Sequence, residues 1–436
     1  MKIAEAGQVL AGRDSTPNYA PILYISFDGM LEPLGSSQVL NYLYPLAGLG
    51  FRFFLISMEK EQDISAAAVA RLVRELQECG IEWRWDLFRQ GGVLEVLQNL
   101  GSVFQSARRV CRDRDIRLVH ARSFLPAVIA RMLQVSMGIP YIFDVRGYWI
   151  DERVAEGRWI TNRVAYKLGK WVERHLVKHA TAIVTLTELQ AQDFRIVLPG
   201  KSSEQPIAVI PTCADYDVFH PQADYADAVP TEILDHIRGK LVIGMVGSIN
   251  KSYCIRESLE LFLQIQQLRP DAHLLCLTRQ MEKMTALLHH HGIPTSAYTL
   301  AAVPHQKMPA WLTLIHWALL LLNADFAKRG SMPTKLAELF ASQVRVIQYG
   351  CNSEVSAKVS EAGSGIVLND LSQAELKRVA QTVACSMLAS PSAVEARKFT
   401  RAYFGLESGV RKYEQLLSRV VPLVNNSKSN RSTLRQ

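Results

Sequence analysis

Short apolar runs rich in β-branched residues alternate with longer amphipathic segments along most of this chain of 436 residues. That alternation is typical of βα units, which build a parallel sheet covered by helices. The runs fall into two series, so the sequence predicts an α/β fold with two doubly wound parallel sheets. Strands are predicted at residues 22–27, 53–57, 118–121, 141–145, 182–186 and 208–210, and then at residues 241–246, 273–277, 318–322, 344–348 and 365–368.

The stretch between the two series marks a boundary between domains. Residues 211 to about 241 contain three prolines and show no sustained periodicity, which is typical of a linker. We expect a first domain over residues 1–215, a second over 216–397, and a C-terminal segment over 398–436 that begins as a helix and ends in a basic, frayed tail. Ligands of open α/β sheets bind beyond the carboxyl ends of the strands, so the cleft between the two domains is the expected site.

Composition indicates where the protein works. Hydrophobic residues make up 48% of the chain and charged residues 21%, as in ordinary globular proteins. The longest strongly apolar run, residues 317–322, is far shorter than the roughly 18 residues that cross a bilayer, and residues 1–14 lack the apolar core of a secretory signal. The seven cysteines include no C-x-x-C pair, which favours reduced, mostly buried thiols. We therefore expect a cytoplasmic protein.

The net charge of +8 is concentrated near the C-terminus, because residues 401–436 carry seven Lys or Arg residues against two Glu. The rest of the chain is nearly neutral, which argues against a broad nucleic-acid-binding face. A basic helix is predicted at residues 161–179, where cations recur on one face. These cations are Arg163, Lys167, Lys170, Arg174 and Lys178. Helices of this kind lie on anionic membranes, although a solvated charged face gives the same pattern.

One loop of the second domain is a candidate for binding phosphate. Gly247, Ser248 and Lys251 directly follow the strand predicted at residues 241–246. Backbone amides and a lysine at that place can meet an anion, whereas a simple turn is the alternative.

The segment 325–340 predicts a helix that begins at the cleft. Pro333 is expected at an early helical position and Ser331 or Thr334 as the N-terminal cap. Lys335 then lies in the first turn, where a cation opposes the helix dipole unless an anion is bound nearby. Glu338, one turn further on, can accept hydrogen bonds from ribose hydroxyls; the alternative is a buried or ion-paired carboxylate. This segment therefore predicts a nucleotide diphosphate site.

The loop after the first strand is a candidate anion site in the first domain. Gly35 and Ser36 at the start of a helix would leave backbone N–H groups free, and Gly29 lies earlier in the same loop. The loop does not match G-x-G-x-x-G, and plain turn chemistry explains the same residues.

Residues 144–153 place five charged and two aromatic side chains directly after a predicted strand. The candidates here are Asp144, Arg146, Trp149 and Asp151, and Arg122 would reach the same rim from the strand before. Such a segment forms either a binding site or a structural ion-pair cluster. The sequence has neither an H-E-x-x-H metal motif nor a G-x-S-x-G nucleophile motif, so a metallohydrolase or serine hydrolase is not predicted.

Five blocks of the sequence, taken in order, resemble the family 4 retaining glycosyltransferases of GT-B fold. They are ILYISFDGMLEPLGSSQVL from residue 22, DVRGYWIDER from residue 144, VIPTCADYDVFHP from residue 209, GSINKSYC from residue 247 and SMPTKLAELFAS from residue 331. The resemblance implies two Rossmann-like domains facing across a cleft, with the acceptor on the first domain, the donor mainly on the second, and the C-terminal helix crossing back.

The resemblance also implies an activity: transfer of a hexosyl group from a nucleotide diphosphate sugar to a glycan or lipid-linked acceptor, with the anomeric configuration kept, as in polysaccharide biosynthesis. Arg146, Lys335 and Glu338 are the catalytic candidates. Donor contacts are expected from Gly247, Ser248, Lys251, Arg329, Ser331, Thr334, Lys335 and Glu338. No metal or other cofactor is implied, because helix amides and cations would neutralise the leaving diphosphate.

Two positions depart from the family pattern. The first of two glutamates separated by seven residues falls on Gly330, and Arg146 stands where many members have a histidine. A guanidinium cannot act as a general acid or base near neutral pH. The alternatives are therefore a catalytically degenerate GT-B protein that acts as a binding or regulatory subunit, and a nucleotide-sugar epimerase of the same architecture.

Overall fold

The computed structural model describes residues 19–155, 157, 163–198, 205–222, 227–323, 326–363, 365–387 and 391–423. Within these ranges the strands form two sheets, and all the strand pairs are parallel. The predicted α/β fold with two doubly wound sheets is confirmed. The frayed tail expected at residues 425–436 and the N-terminal residues 1–14 lie outside the described residues.

Seven strands form the sheet of the first lobe: β1 (Ile22–Ser26), β2 (Phe53–Glu59), β3 (Glu82–Leu87), β4 (Leu118–Arg122), β5 (Tyr141–Asp144), β6 (Ala182–Thr185) and β7 (Ile207–Val209). Their order in the sheet is β3-β2-β1-β4-β5-β6-β7. The helices of this lobe are α1 (Asn41–Gly48), α2 (Ala66–Glu78), α3 (Val93–Asp113), α4 (Phe124–Met137), α5 (Trp149–Ala155), α6 (Arg163–His179) and α7 (Glu188–Val197). One helical turn, Pro33–Gly35, and a π-helical segment, Ser36–Leu40, lead into α1.

Six strands form the sheet of the second lobe: β8 (Leu241–Val246), β9 (Ala272–Leu277), β10 (Tyr298–Ala301), β11 (Trp317–Leu321), β12 (Arg345–Tyr349) and β13 (Gly365–Val367). Their order is β10-β9-β8-β11-β12-β13. The helices that follow α7 are α8 (Thr231–Ile237), α9 (Ile255–Leu268), α10 (Met281–His290), α11 (Met308–Leu312), α12 (Thr334–Ala341), α13 (Ser353–Glu361), α14 (Gln373–Ala384), α15 (Pro391–Phe404) and α16 (Leu406–Val420). A 3-10 turn, Phe326–Gly330, connects β11 to α12.

Strand register brings distant residues to one edge of the first sheet. Ser26 at the end of β1 pairs with Arg122, and Arg122 pairs with Asp144 at the end of β5. These central strands are wholly buried, as expected for a parallel sheet covered on both faces. The loops after β1, β4 and β5 therefore emerge side by side.

The chain passes between the lobes twice, and the two passages are bonded to each other. Ala214 accepts a hydrogen bond from Leu406 N at 2.9 Å and donates one to Phe404 O at 2.9 Å. After the second passage α16 packs on α1, with the rings of Tyr42 and Tyr413 5.1 Å apart. The helix predicted over residues 398–420 is divided, because Gly405 has an extended backbone that separates α15 from α16.

Three elements were not predicted from the sequence. Strands β3 and β10 form the outer edges of the two sheets, and the short helix α8 lies inside the stretch read as a linker. Among the described residues there is also no helix long and apolar enough to span a bilayer.

Candidate functional site

Lys335 and Gly247 lie in contact where β8 ends and α12 begins. Gly247 has a φ of +110°, and a Cβ built on it would overlap the Lys335 ammonium group. Lys335 Nζ donates to Tyr253 Oη at 3.1 Å and lies 4.8 Å from the centre of that ring. The loop after β8 and the first turn of α12 thus hold a cation between them.

Helix α12 begins beside the same loop. The helix begins at Thr334, and its N-cap residue is Pro333, which provides no side-chain hydrogen bond. The prediction that Ser331 or Thr334 caps the helix is wrong, since the Ser331 hydroxyl bonds back to Ala327 O at 3.5 Å. In this turn Leu336 N donates to Pro333 O at 3.1 Å, and an anion is what the remaining N–H groups of a turn without a side-chain cap bind best.

Further lysines surround the loop. Lys251 is exposed at its tip, and Ser248 Oγ accepts from Asn250 Nδ2 at 3.1 Å. The sequence-based prediction missed two others. Lys328 Nζ contacts Ser252 Oγ at 3.4 Å, and Lys283 Nζ donates to Ile249 O at 2.9 Å. The loop is therefore bordered by cations from three elements besides its own.

Glu338 lies on α12, one turn after Lys335, and is 7% exposed. Its Oε1 is 3.3 Å from His305 Nε2, a partner the sequence did not indicate. The ring of His305 meets Phe219 edge-on at 5.8 Å. The carboxylate is thus buried beside an imidazole of the segment between β10 and α11, which is the buried, paired arrangement that the sequence left open as the alternative to a ribose contact.

Arg329 does not join the lysines around the loop in its described contacts. Its guanidinium pairs with Asp193 of α7 at 3.2 Å, and its carbonyl accepts from Thr187 Oγ1 at 3.0 Å. Asp193 also accepts a hydrogen bond from Tyr148 Oη. The 3-10 turn of the second lobe is therefore fastened to the first lobe.

The loop after β1 already holds an anion of the protein itself. The buried Glu59 carboxylate accepts from Met30 N at 2.7 Å and Leu31 N at 3.1 Å. Ser36 N donates to Glu32 O at 3.1 Å, because the helical turn begins at residue 33 and not at residue 35. The prediction that Ser36 offers a free amide is therefore wrong.

The glycines of that loop have a packing role. A Cβ at Gly35 would overlap the carbonyl of Gly29, and one at Gly29 would lie 2.6 Å from Glu59 Oε2. Gly29 N donates to Glu32 Oε1 at 2.8 Å. Both glycines allow the loop to fold over the Glu59 carboxylate.

A buried ion-pair cluster lies behind this loop. Arg122 is 3% exposed; its Nε donates to Asp28 Oδ2 at 2.9 Å, and Nη1 lies 3.9 Å from Asp144 Oδ2. Arg146 Nη1 donates to Asp144 Oδ1 at 3.2 Å. Arg122 was expected at an exposed rim, and the sheet register instead draws it inward between two carboxylates.

Asp144 is the centre of this cluster. Burial raises its pKa, but the charge of Arg146 and the hydrogen bond with His120 outweigh burial and hold the pKa well below its usual range. Tyr413 Oη of α16 donates to Asp144 Oδ2 at 3.0 Å. Asp144 is therefore an ionised structural carboxylate, and Arg146 keeps its charge beside it.

Trp149 and Asp151 pack within the first lobe. Trp149 stacks on Phe124 with ring centres 4.9 Å apart, and Asp151 accepts from Tyr166 Oη and Lys170 Nζ, both at 2.8 Å. These contacts agree with the second of the two alternatives for residues 144–153, a structural ion-pair cluster.

Comparisons with known proteins agree with this arrangement. Residues 36–213 match the family model described as glycosyl transferase 4-like domain. Sucrose-phosphate synthase from Thermosynechococcus elongatus superposes with a TM-score of 0.66 at 13% identity, over 92% of this chain and 98% of that chain. HepE from Anabaena, solved in complex with UDP and glucose, gives 0.66 at 12% identity, over 91% and 99%. The chain has the fold of the GT-B glycosyltransferases.

A third structure of the same fold supports this assignment. The α,α-trehalose 6-phosphate synthase from Burkholderia multivorans gives a TM-score of 0.65 at 12% identity, over 92% of this chain and 99% of that chain. No curated protein sequence matches this chain. The expected GT-B fold is confirmed, and the match over residues 36–213 agrees with the expected family.

Gly330 leaves no room for the glutamate that the family pattern has there. A Cβ at this position would lie 2.6 Å from Gln190 Nε2 and 3.1 Å from Tyr148 Cδ2. Two side chains of the first lobe therefore occupy the space beside Gly330.

Helix α6 has the predicted basic face with one exception. Lys170 is drawn inward by Asp151 and Glu173, and its side chain is 15% exposed. The other cations are exposed: Arg163, Lys167, Arg174 and Lys178. Beside them runs an exposed apolar stripe of Val164, Leu168 and Trp171, which are 72%, 60% and 60% exposed.

Proposed function

We propose that this protein transfers a hexosyl group from a nucleoside diphosphate sugar to a glycan or lipid-linked acceptor, with retention of the anomeric configuration. The observation that carries the proposal is the Lys335 ammonium group held against Gly247, beside the uncapped amides of α12. A diphosphate fits between these groups because it needs both cations and backbone donors.

The same groups support departure of the nucleoside diphosphate without a metal ion. As the bond between the anomeric carbon and the phosphate oxygen breaks, negative charge grows on the diphosphate, and fixed cations stabilise it most in the transition state. Lys335, Lys251 and Lys328 provide that charge.

The nucleoside is proposed to lie beside Glu338 and His305. Glu338 can accept hydrogen bonds from the two ribose hydroxyls, and His305 holds its carboxylate in place at 3.3 Å. The complexes of HepE with UDP and with UDP-glucose make UDP-sugars the first donors to test.

A catalytically degenerate binding subunit is the second candidate, and Arg146 is the observation that favours it. Its guanidinium is paired with Asp144 and cannot transfer a proton. In an active enzyme Arg146 would act by its charge alone.

One experiment separates these functions. Thermal shifts with a panel of nucleotide sugars identify the donor, because a ligand of the native state raises the melting temperature. The selected donor is then incubated with and without candidate acceptors. Glycoside formation with retained configuration supports the transferase, whereas binding with neither transfer nor donor hydrolysis identifies the degenerate subunit. Release of an isomerised sugar would identify an epimerase.

We also propose that the protein works at the cytoplasmic face of an anionic membrane, through α6. The exposed stripe of Val164, Leu168 and Trp171 would enter the headgroup region, and the four exposed cations beside it would meet anionic lipids.

Vesicle flotation tests this surface. The variant L168S/W171S should lose binding to vesicles that contain phosphatidylglycerol. L94S/L97S removes two equally exposed apolar residues of α3 and serves as the matched control. Equal flotation of both variants would refute the membrane proposal.

A further inference from the structure

Gln190 is a fully buried glutamine whose carboxamide has no hydrogen-bond partner. Its exposure is 0%, and neither Oε1 nor Nε2 bonds to any described residue. A buried polar group left without a partner costs about 1–3 kcal/mol. Natural proteins leave few buried polar groups unpaired, and a functional role is one reason for keeping such a group.

The local sequence offered Gln190 another partner, which the side chain does not take. Thr187, Glu188, Leu189 and Gln190 match the capping box, in which the fourth side chain bonds back to the first backbone N–H. Thr187 Oγ1 fulfils its half by accepting from Gln190 N at 3.2 Å. The carboxamide of Gln190 instead turns away from its helix toward Gly330 of the other lobe.

Gly330 lies between the proposed diphosphate site and the first lobe. It ends the 3-10 turn whose Lys328 contacts Ser252 in the loop after β8. The same turn is fastened to the first lobe through Arg329 and Asp193. The nucleoside of the donor would lie on the second lobe, so the sugar attached to the far phosphate extends from the lysines toward the first lobe.

We propose that the Gln190 carboxamide binds hydroxyl groups of the donor sugar and so takes part in sugar selection. A carboxamide both donates and accepts hydrogen bonds, which suits hydroxyls and requires no charge. The contact between α7 and the 3-10 turn separates to admit the sugar beside Gly330, and the two unpaired atoms of Gln190 then gain partners. This inference rests on the proposed function of the Lys335 site.

The test is the variant Q190L, which is similar in volume and removes the unpaired polar atoms. We expect an unchanged or higher melting temperature, an affinity for the free nucleoside diphosphate within about twofold of wild type, and at least a tenfold loss in affinity for the nucleotide sugar and in kcat/KM. Replacing an unsatisfied group by an apolar one explains the first result, and loss of sugar contacts explains the last.

Q205L is the matched control, because the buried Gln205 donates to Val177 O and Ala180 O within the first lobe. It should lower the melting temperature and leave the preference for nucleotide sugar over nucleoside diphosphate unchanged. The double variant G330A/Q190L should bind the sugar no worse than Q190L alone, since the Cβ at residue 330 acts by displacing the Gln190 amide.

The outcomes distinguish this inference from the function on which it rests. Unchanged sugar affinity in Q190L overturns the role of Gln190 alone. An equal loss of affinity for nucleoside diphosphate and nucleotide sugar, together with a lower melting temperature, shows a purely structural glutamine. A wild-type protein that binds no nucleoside diphosphate overturns the diphosphate site first.

Discussion

The Lys335 ammonium group occupies the space where a side chain of Gly247 would begin. Two segments almost 90 residues apart meet at this point, and each has a feature that suits the contact. Gly247 follows a buried strand with a φ of +110°, a conformation that favours glycine. Lys335 stands in the first turn of a helix, where a cation opposes the helix dipole and an anion beside it would offset that cost.

Removing the Lys335 charge should weaken nucleotide binding. We expect K335A to lower the affinity for the nucleoside diphosphate by at least tenfold in calorimetry, since a charge-assisted hydrogen bond contributes about 1.5–3 kcal/mol. K377A, which removes an exposed lysine from α14, controls for net charge. Equal affinities in the two variants would place the diphosphate elsewhere.

A methyl group at Gly247 should displace Lys335. G247A combines an unfavourable backbone conformation with overlap on the ammonium group, so we expect loss of nucleotide binding and a lower melting temperature. In the background of K335A, the further loss of affinity caused by G247A should be smaller, since the lysine is already gone. Additive losses would show that the two residues act separately.

Glu338 should contribute to the affinity for the nucleoside part of the ligand and not to the affinity for the diphosphate. We expect E338Q to weaken binding of the nucleoside diphosphate about tenfold and to leave inorganic pyrophosphate binding unchanged, because pyrophosphate has no ribose. Both affinities can be measured by competition with a fluorescent nucleotide. A parallel loss for both ligands would mean that Glu338 positions Lys335 instead.

Neutralising Asp144 should destabilise the first lobe. D144N leaves Arg122 and Arg146 without their shared carboxylate, and breaking a buried ion pair costs about 3–5 kcal/mol. The free energy of unfolding from urea denaturation provides the measurement. D115N, which breaks the exposed pair with Arg117, should change it by less than about 1 kcal/mol. Similar losses in both variants would contradict the structural role of the cluster.

Acidification should destabilise the second lobe through two histidines. Burial lowers the pKa of His273 and of His316 to about 4, whereas both titrate near 6.5 in the unfolded chain. Between these values the unfolded state binds more protons than the native state, so stability falls as the pH falls from 6.5 toward 4.

The melting temperature at pH 7 and pH 5 checks this dependence. H273Q should reduce the drop between the two pH values, and H289Q, at an exposed position of α10, should leave it as in wild type. An undiminished drop in H273Q would exclude His273 as a source.

The central strands could be predicted because their apolar runs are continuous. The edge strand β3 could not, since its sequence EWRWDL is charged and largely exposed, as suits an edge that must not pair with another sheet. Strand β10 has four half-buried residues, too few for a clear periodicity. A strand that is buried on both faces has a continuous apolar sequence, which is the pattern that predicted the central strands. Edge strands lack this pattern.

The parts of the candidate site that lie in short sequence motifs could be predicted. The parts that depend on how the strands pair in the sheet could not. Lys335 and Gly247 stand in recognisable loops after strands. The inward turn of Arg122 depends on pairing with Asp28, 94 positions away, and the occupation of the β1 loop by Glu59 depends on the neighbouring strand. No local pattern encodes such contacts.

The two chain segments that connect the lobes, at Ala214 and Gly405, are joined to each other by backbone hydrogen bonds. Such a double connection bends more readily than it slides or twists, so it favours rotation of one lobe against the other about a single line through the connection. A rotation about that line would change the contact of Gln190 with Gly330 and keep the backbone hydrogen bonds of Ala214.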